Sequence, residues 1–251
     1  MNNDFTNSTK PKFYGRQHGR KLRKTRTRLI EEFLPTISIE LPEDENEKID
    51  LDGLFNFKPK EKWLEVGFGG GEHLAGQAKK NPEIAIIGSE VFINGVASLA
   101  AHITGHHENG TLSDDETITI KDDRADNIRI YNKDVRQLFP HLEDGCFDRI
   151  FVLFPDPWPK SKHKDRRFIG PSNLPVLARL LKKGGILRVA TDHKVYKSWA
   201  LRNLYQDPNF KWKAECSDDW RQEPSDWIRT RYQEKAIREG RKAVFLDFEK
   251  I

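Results

Sequence analysis

The sequence predicts an α/β fold: a mostly parallel sheet covered by helices on both faces. Three observations point to it. After about residue 55, apolar runs of strand length alternate with helix-length amphipathic patterns, the order that a parallel sheet with crossover helices produces. The runs are apolar at nearly every position, as strands buried on both sides are. A glycine-rich turn, Gly67 to Gly71, follows the first run, where such folds pass from their first strand to their first helix. With 251 residues, the chain has room for one large domain of this kind.

Taken in order, WLEV (63–66) is the first strand, and helix 73–80 follows its glycine turn. The second strand is 84–88, with helix 95–102 after it; 128–131 and 149–154 are the third and fourth strands, and 186–190 is the fifth. Helices are expected at 172–181 and 194–204. The first of these runs into Lys182-Lys183-Gly184-Gly185, bases in a last turn followed by a glycine stop. Beyond Asp207-Pro208, 210–214 and 243–248 are two further strand candidates, placed to pair antiparallel at a sheet edge. The polar stretch 105–126 is an insertion with a small strand candidate at 117–120, long for a connection inside a compact domain.

The formal charge of +4 averages unlike parts. Residues 10–28 hold nine Lys or Arg and no carboxylate, and residues 1–9 add one aspartate, which leaves 34 bases against 38 acids in residues 29–251. The chain is therefore expected to divide into a basic, flexible N-terminal arm (1–28), an acidic linker (29–54) and a folded domain (55–251). The linker opens on a short amphipathic piece stopped by Pro35 and carries seven acids and one lysine between residues 40 and 52. A block of like charge such as the arm is either a solvated tail or a phosphate-binding element. Cys146 and Cys216, without CxxC spacing, are expected as reduced thiols and imply no metal site. No apolar run approaches the ~18 residues of a membrane span, so a soluble, cytoplasmic protein is expected.

Gly67, Gly69 and Gly71 satisfy GxGxG, and Glu72 stands where a dinucleotide fingerprint would want its last glycine. Glycines there bring backbone close to a ligand and free helix N–H groups to face it. Glu65 and Glu72 around the turn suit a cationic or zwitterionic ligand, which favours S-adenosylmethionine over a pyrophosphate. Glu90, 23 residues beyond Gly67 at the end of the second strand, is placed to accept from both ribose hydroxyls, a role shared by NAD and S-adenosylmethionine sites. Asp134, after the third strand, is placed for the adenine edge. An NAD-dependent oxidoreductase, a non-enzymatic RNA-binding module and methyltransferases of other substrates remain open from these residues alone.

The most specific segment is FPDPWPK (154–160), which puts the carboxylate of Asp156, the indole of Trp158 and the amine of Lys160 at a strand end. Three prolines stiffen the chain around Asp156, and the bases that follow, Lys160 to Arg167, are expected to hold phosphates. These residues carry a resemblance. With EVGFGGGEHL (65–74), GSEVFINGV (88–96), FPDPWPKSKHKDRRF (154–168), ATDH (190–193) and TRYQEKA (230–236), the chain resembles the bacterial tRNA (guanine-N7)-methyltransferase family from about Gly15 onward. The resemblance implies a Rossmann-like class I methyltransferase. Its fold would be a three-layer sandwich on a mostly parallel seven-stranded sheet with an antiparallel edge strand. It would transfer the methyl group of S-adenosylmethionine to N7 of the guanosine at position 46 in the tRNA variable loop. By motif match, Asp156 is the catalytic residue. Glu65, Gly67, Gly69, Gly71, Glu90, Asp134 and Asp156 meet the cofactor, and Lys160, Asp192, Thr230, Arg231, Tyr232 and Gln233 meet the substrate. The family's pattern has glutamate where this chain has Gln233. The implied partner is tRNA, with no DNA, membrane or metal, for a monomer or homodimer. Asp156 or Asp192 is expected to accept from guanine N1–H and the N2 amino group, and Trp158 to stack on the extruded base.

Overall fold

The computed structural model describes residues 13–106 and 126–251; the 117–120 strand candidate and the first twelve residues of the arm lie outside them. The chain enters through α1 (Lys24–Arg28), a π-helical turn (Leu29–Phe33) and α2 (Leu34–Ile37). It then alternates: β1 (Glu61–Val66), α3 (Glu72–Lys80), β2 (Ile84–Ser89), α4 (Ile93–Thr104), β3 (Ile128–Tyr131), α5 (Val135–Leu138), β4 (Phe147–Leu153), α6 (Leu174–Leu180) and β5 (Leu181–Thr191). The remainder is α7 (Lys194–Gln206), β6 (Phe210–Trp212), α8 (Asp218–Arg221), α9 (Arg231–Arg238) and β7 (Val244–Lys250).

The seven strands form one sheet in the order β3-β2-β1-β4-β5-β7-β6. β1 to β5 run parallel to one another, and β7 runs antiparallel between β5 and β6. Alternate residues feed two cores. Leu64, Ile87, Ile150, Leu187 and Leu246 pack with α5, α6 and α7 on one face; Trp63, Ile86, Phe151, Ala190 and Phe245 pack with α2, α3 and α4 on the other. The three-layer sandwich follows from that period of two.

Two expectations change. Residues 29–54 are not a linker: Leu29, Phe33, Leu34 and Ile37 are 0–7% exposed and belong to the second core. Ile39 N–H donates to Ile130 O and Ile49 N–H to His141 O, tying the acidic stretch to the body. The reason is spacing: residues 29, 33, 34 and 37 share one helical face, and burying each is worth about 1.5–3 kcal/mol. The body therefore starts near Leu29. The second change is at Lys182–Gly185, read as a helix stop. α6 already ends at Leu180, and Leu181 pairs with Phe147 in β5.

Candidate active site

The carboxyl ends of β1 to β4 open into one cavity of about 540 Å³, where open α/β sheets bind ligands. Gly67 and Gly69 line it at φ +66° and +58°, left-handed values that side chains resist. Nothing lies within 4 Å of where a Cβ on Gly67 would stand, so bare backbone faces the open space. At Gly69 that position is 2.6 Å from the ring of Tyr232, which rests on the turn and also lines the cavity. Gly71 is the N-cap of α3 and faces Leu99 instead.

Glu90 stands across from the turn. Its Oε2 accepts the N–H of Gly69 at 2.8 Å and its Oε1 that of Phe92 at 2.8 Å. Burial pushes its pKa up, the backbone N–H groups pull it down, and the charge of Asp156 adds a smaller upward push. Each oxygen keeps a lone pair for a ligand hydroxyl. Asp134 lies at the cavity edge with much of its capacity used locally: it caps α5 through the amide of Arg136 at 3.0 Å and holds the Arg136 guanidinium at 2.5 Å.

Asp156 is exposed at the mouth of the same cavity. Two residues to either side, Phe154 and Trp158 take left-handed φ values of +49° and +40°, each a strain of about 1–3 kcal/mol for a non-glycine residue. The surroundings hold them there. Phe154 N–H donates to Ala190 O at 2.8 Å, and the guanidinium of Arg167 donates to Pro157 O at 3.2 Å and to Trp158 O at 2.9 Å. Arg167 is 7% exposed and lies over Trp199, so it clamps the loop and is not one of the phosphate-facing bases expected from the sequence. Lys160, Lys162 and Lys164 are exposed. Arg166 sits 5.0 Å over the Trp158 ring and 4.3 Å over Tyr14, and Phe13, Tyr14, Gly15 and Arg16 line the cavity. That part of the arm lies against the body, with Ile93 N–H donating to Gln17 O and Gly19 N–H to Asn94 Oδ1. Its place in the site went unseen in the sequence, where an aromatic pair inside a basic block was the available signal.

Several expected contacts are engaged elsewhere. Glu65 is 2% exposed beneath α3, its Oε2 2.7 Å from Nδ1 of the equally buried His73, and it does not line the cavity. Glu72 is bound by Arg231, whose Nη2 also donates to Ser98 Oγ at 2.8 Å. Asp192 is held by Arg241 at 2.5 Å, and neither it nor Lys160 lines the cavity. Thr230 is the buried N-cap of α9, accepting from Gln233 N–H. Gln233 is 2% exposed, with Oε1 accepting from Trp227 Nε1 at 2.6 Å and Nε2 donating to Glu223 at 2.8 Å. Of the six substrate residues expected, Tyr232 alone lines the cavity.

Residues 59–246 match a protein-family profile described as "Putative methyltransferase". The tRNA (guanine-N(7)-)-methyltransferase of Rhodospirillum rubrum is 47% identical over 238 residues, covering 94% of this chain and 87% of its own. The protein of the same name from Paramagnetospirillum magneticum is 45% identical, with 94% and 91% covered. Among solved structures, the 16S rRNA methyltransferase KamB superposes with a TM-score of 0.52 at 16% identity over 82% of this chain and 95% of that one. An antibiotic-related methyltransferase gives 0.50 at 14% identity over 87% and 99%. At such identities these two speak to the fold, that of Rossmann-like methyltransferases.

Proposed function

The chain belongs to the tRNA (guanine-N(7)-)-methyltransferase family, and from that premise we propose how its cavity methylates N7 of the guanosine at position 46 in the tRNA variable loop. S-adenosylmethionine is the methyl donor. The cavity fits it on its own terms: bare glycine backbone faces open space at Gly67, and Glu90 keeps a free lone pair on each oxygen for a pair of hydroxyls. Glu72, which argued against a pyrophosphate, is neutralised by Arg231, so the choice against NAD rests on the family. Gly67, Gly69, Glu90, Asp134 and Tyr232 would hold the donor, which supplies an electrophilic methyl group on a sulfonium.

Guanine N7 carries an available lone pair on its Hoogsteen edge, so the nucleophile needs no base. What the residues contribute is aim, an effect worth about 7 kcal/mol or more when reacting atoms are well oriented. Asp156 accepts from guanine N1–H and the N2 amino group, which selects guanine over adenine and turns N7 inward. Asp192, tied to Arg241 outside the cavity, supports that base contact less well. Trp158 and Tyr14 offer faces to the extruded base or its neighbour. Lys160, Lys162 and the exposed bases Arg16, Arg20, Arg23 and Lys24 hold tRNA phosphates. The observation that carries this reading is the strained, clamped turn that presents Asp156 to the cavity lined by Gly67 and Glu90.

We also place the enzyme in the cytoplasm, acting on tRNA and not DNA, as a monomer or homodimer. No helix among the described residues is long and apolar enough to cross a membrane. Incubation with labelled S-adenosylmethionine and unmodified tRNA, followed by aniline cleavage, tests the proposal. Cleavage at position 46 is expected; label without cleavage there would refute it.

A further inference from the structure

α9 begins on top of the glycine turn. Arg231 lies so close over Gly70 that a Cβ there would stand 2.2 Å from its Nε, and Tyr232 covers Gly69 in the same way. What holds this segment down is a chain of buried contacts behind it. Trp227 is packed in the second core against Phe245 and His73, with ring centroids 4.7 and 5.1 Å away. Its indole N–H donates to Gln233 Oε1 at 2.6 Å; the other end of the same amide donates to Glu223 Oε1 at 2.8 Å; and Glu223 also takes Arg229 Nε at 2.9 Å. The Thr230 hydroxyl closes the loop by accepting Gln233 N–H at 3.2 Å. Thr-x-x-Gln is the spacing of a capping box, but here the glutamine side chain turns away from the N-cap. The local helix signal and the long-range contact thus compete for one side chain, and the contact wins.

We propose that Gln233 is a positioning residue, whose amide links Trp227 to Glu223 and so presses Thr230 to Tyr232 onto the glycine turn. The inference rests on the reading of that turn as the cofactor cradle. Position 233 needs an acceptor on one side and a donor on the other, and only an amide supplies both in this shape. A carboxylate there would keep the indole contact but meet Glu223 oxygen to oxygen. Two carboxylates at that distance share a proton or separate. Arg229 is the cation facing the pair, with a side chain 57% exposed, and Trp227 shields it from the His73–Glu65 pair on the far side. The segment over the turn would then be held at low pH and released at high pH.

The test is S-adenosylmethionine binding by calorimetry without tRNA, from pH 5.5 to 8.5, on the full chain and on Q233E, E223Q/Q233E and Q233L. Q233E is expected to bind about tenfold more weakly than the native chain at pH 8, the equivalent of about one pKa unit, and to recover as pH falls. The double variant, in which donor and acceptor have changed places, should bind within about threefold of native at every pH. Q233L should be weak throughout. Native affinity of Q233E at pH 8, or a double variant no better than Q233E, would overturn the inference. If Q233E does not fold at pH 8, the folded state and affinity of the double variant decide in the same way. A native chain that binds the donor but leaves tRNA unmethylated would refute the proposed function and leave this inference standing.

Discussion

Arg167→Met separates two readings of the basic stretch after Asp156. As a phosphate ligand, Arg167 would contribute to tRNA affinity and to its salt dependence; as a clamp, it would set the position of Asp156. The structure puts it inside, 7% exposed, with hydrogen bonds to Pro157 O and Trp158 O. A hydrogen bond from a charged donor is worth about 1.5–3 kcal/mol net, so the two carbonyls account for roughly 3–6 kcal/mol. The strain that Arg167 opposes at Trp158 is about 1–3 kcal/mol, while Phe154 is held separately by its bond to Ala190 O. The bonds match or exceed that strain, so without the guanidinium the Trp158 end of the turn relaxes and Asp156 moves. Methionine keeps most of the packing against Trp199. A displacement of about 1 Å at a reacting group can cost about 100-fold in rate. Single-turnover methylation of tRNA should therefore slow by about two orders of magnitude, with tRNA affinity and its salt slope within twofold of native. A variant with a native rate but weaker, less salt-dependent tRNA binding would refute the clamp.

Three further outcomes are expected. Deleting residues 1–22 should flatten the salt dependence of tRNA binding and also weaken S-adenosylmethionine binding several-fold by calorimetry, because Phe13 to Arg16 line the cavity; an arm that served phosphates alone would leave the second quantity untouched. Glu90 is held above the usual carboxylate range, chiefly by burial, so the folded state keeps its proton more tightly than the unfolded one. Its contribution to stability is then lost as pH rises from the unfolded to the folded pKa, while donor binding, in which we propose that the carboxylate accepts ligand hydroxyls, should strengthen over the same window; Glu90→Gln should abolish both slopes in pH-dependent melting and titration. Asp226 joins Arg188 and Arg149 at 2.7 and 2.8 Å, and with its side chain 36% exposed its removal should cost about 2–3 kcal/mol, less than a fully buried partner. Asp226→Ala should therefore lower Tm by about 5–10 °C in calorimetry.

The five parallel strands were legible because each is apolar on both faces, and the glycine turn because its spacing is strict. The 29–37 segment was hidden by its neighbours: nine bases before it and seven acids after it masked an apolar face of four residues. Glu65 could have been placed from the strand alone. It shares the face of Trp63, and the pleat turns that face under α3, where His73 stands in the first turn. The capping-box spacing of Thr230 and Gln233 was also on the page. Partners far apart in sequence were not: Arg241 on Asp192, Arg231 on Glu72 and Tyr14 beside Trp158 depend on how the layers dock, and residue type does not reveal that. Glu65, Glu72 and Asp134, carboxylates that look available for a cofactor, are already paired with His73, Arg231 and Arg136.

The sheet order has a consequence for biogenesis. β7 is the last strand to be synthesised, yet it lies between β5 and β6. Until it arrives, β5 presents an open edge, β6 has no partner and Arg188 in β5 lacks Asp247, its cross-strand neighbour and ion-pair partner. A nascent chain emerging N-terminal end first can assemble β1 to β5 but cannot finish the sheet. α9, which covers the glycine turn, immediately precedes that strand. A chain released early would thus carry a glycine turn and a strained Asp156 loop with neither lid nor sheet edge secured, an aggregation-prone product. Ribosome-stalled chains ending before Val244 are accordingly expected to be sensitive to protease at β5 and α9 and unable to retain the methyl donor.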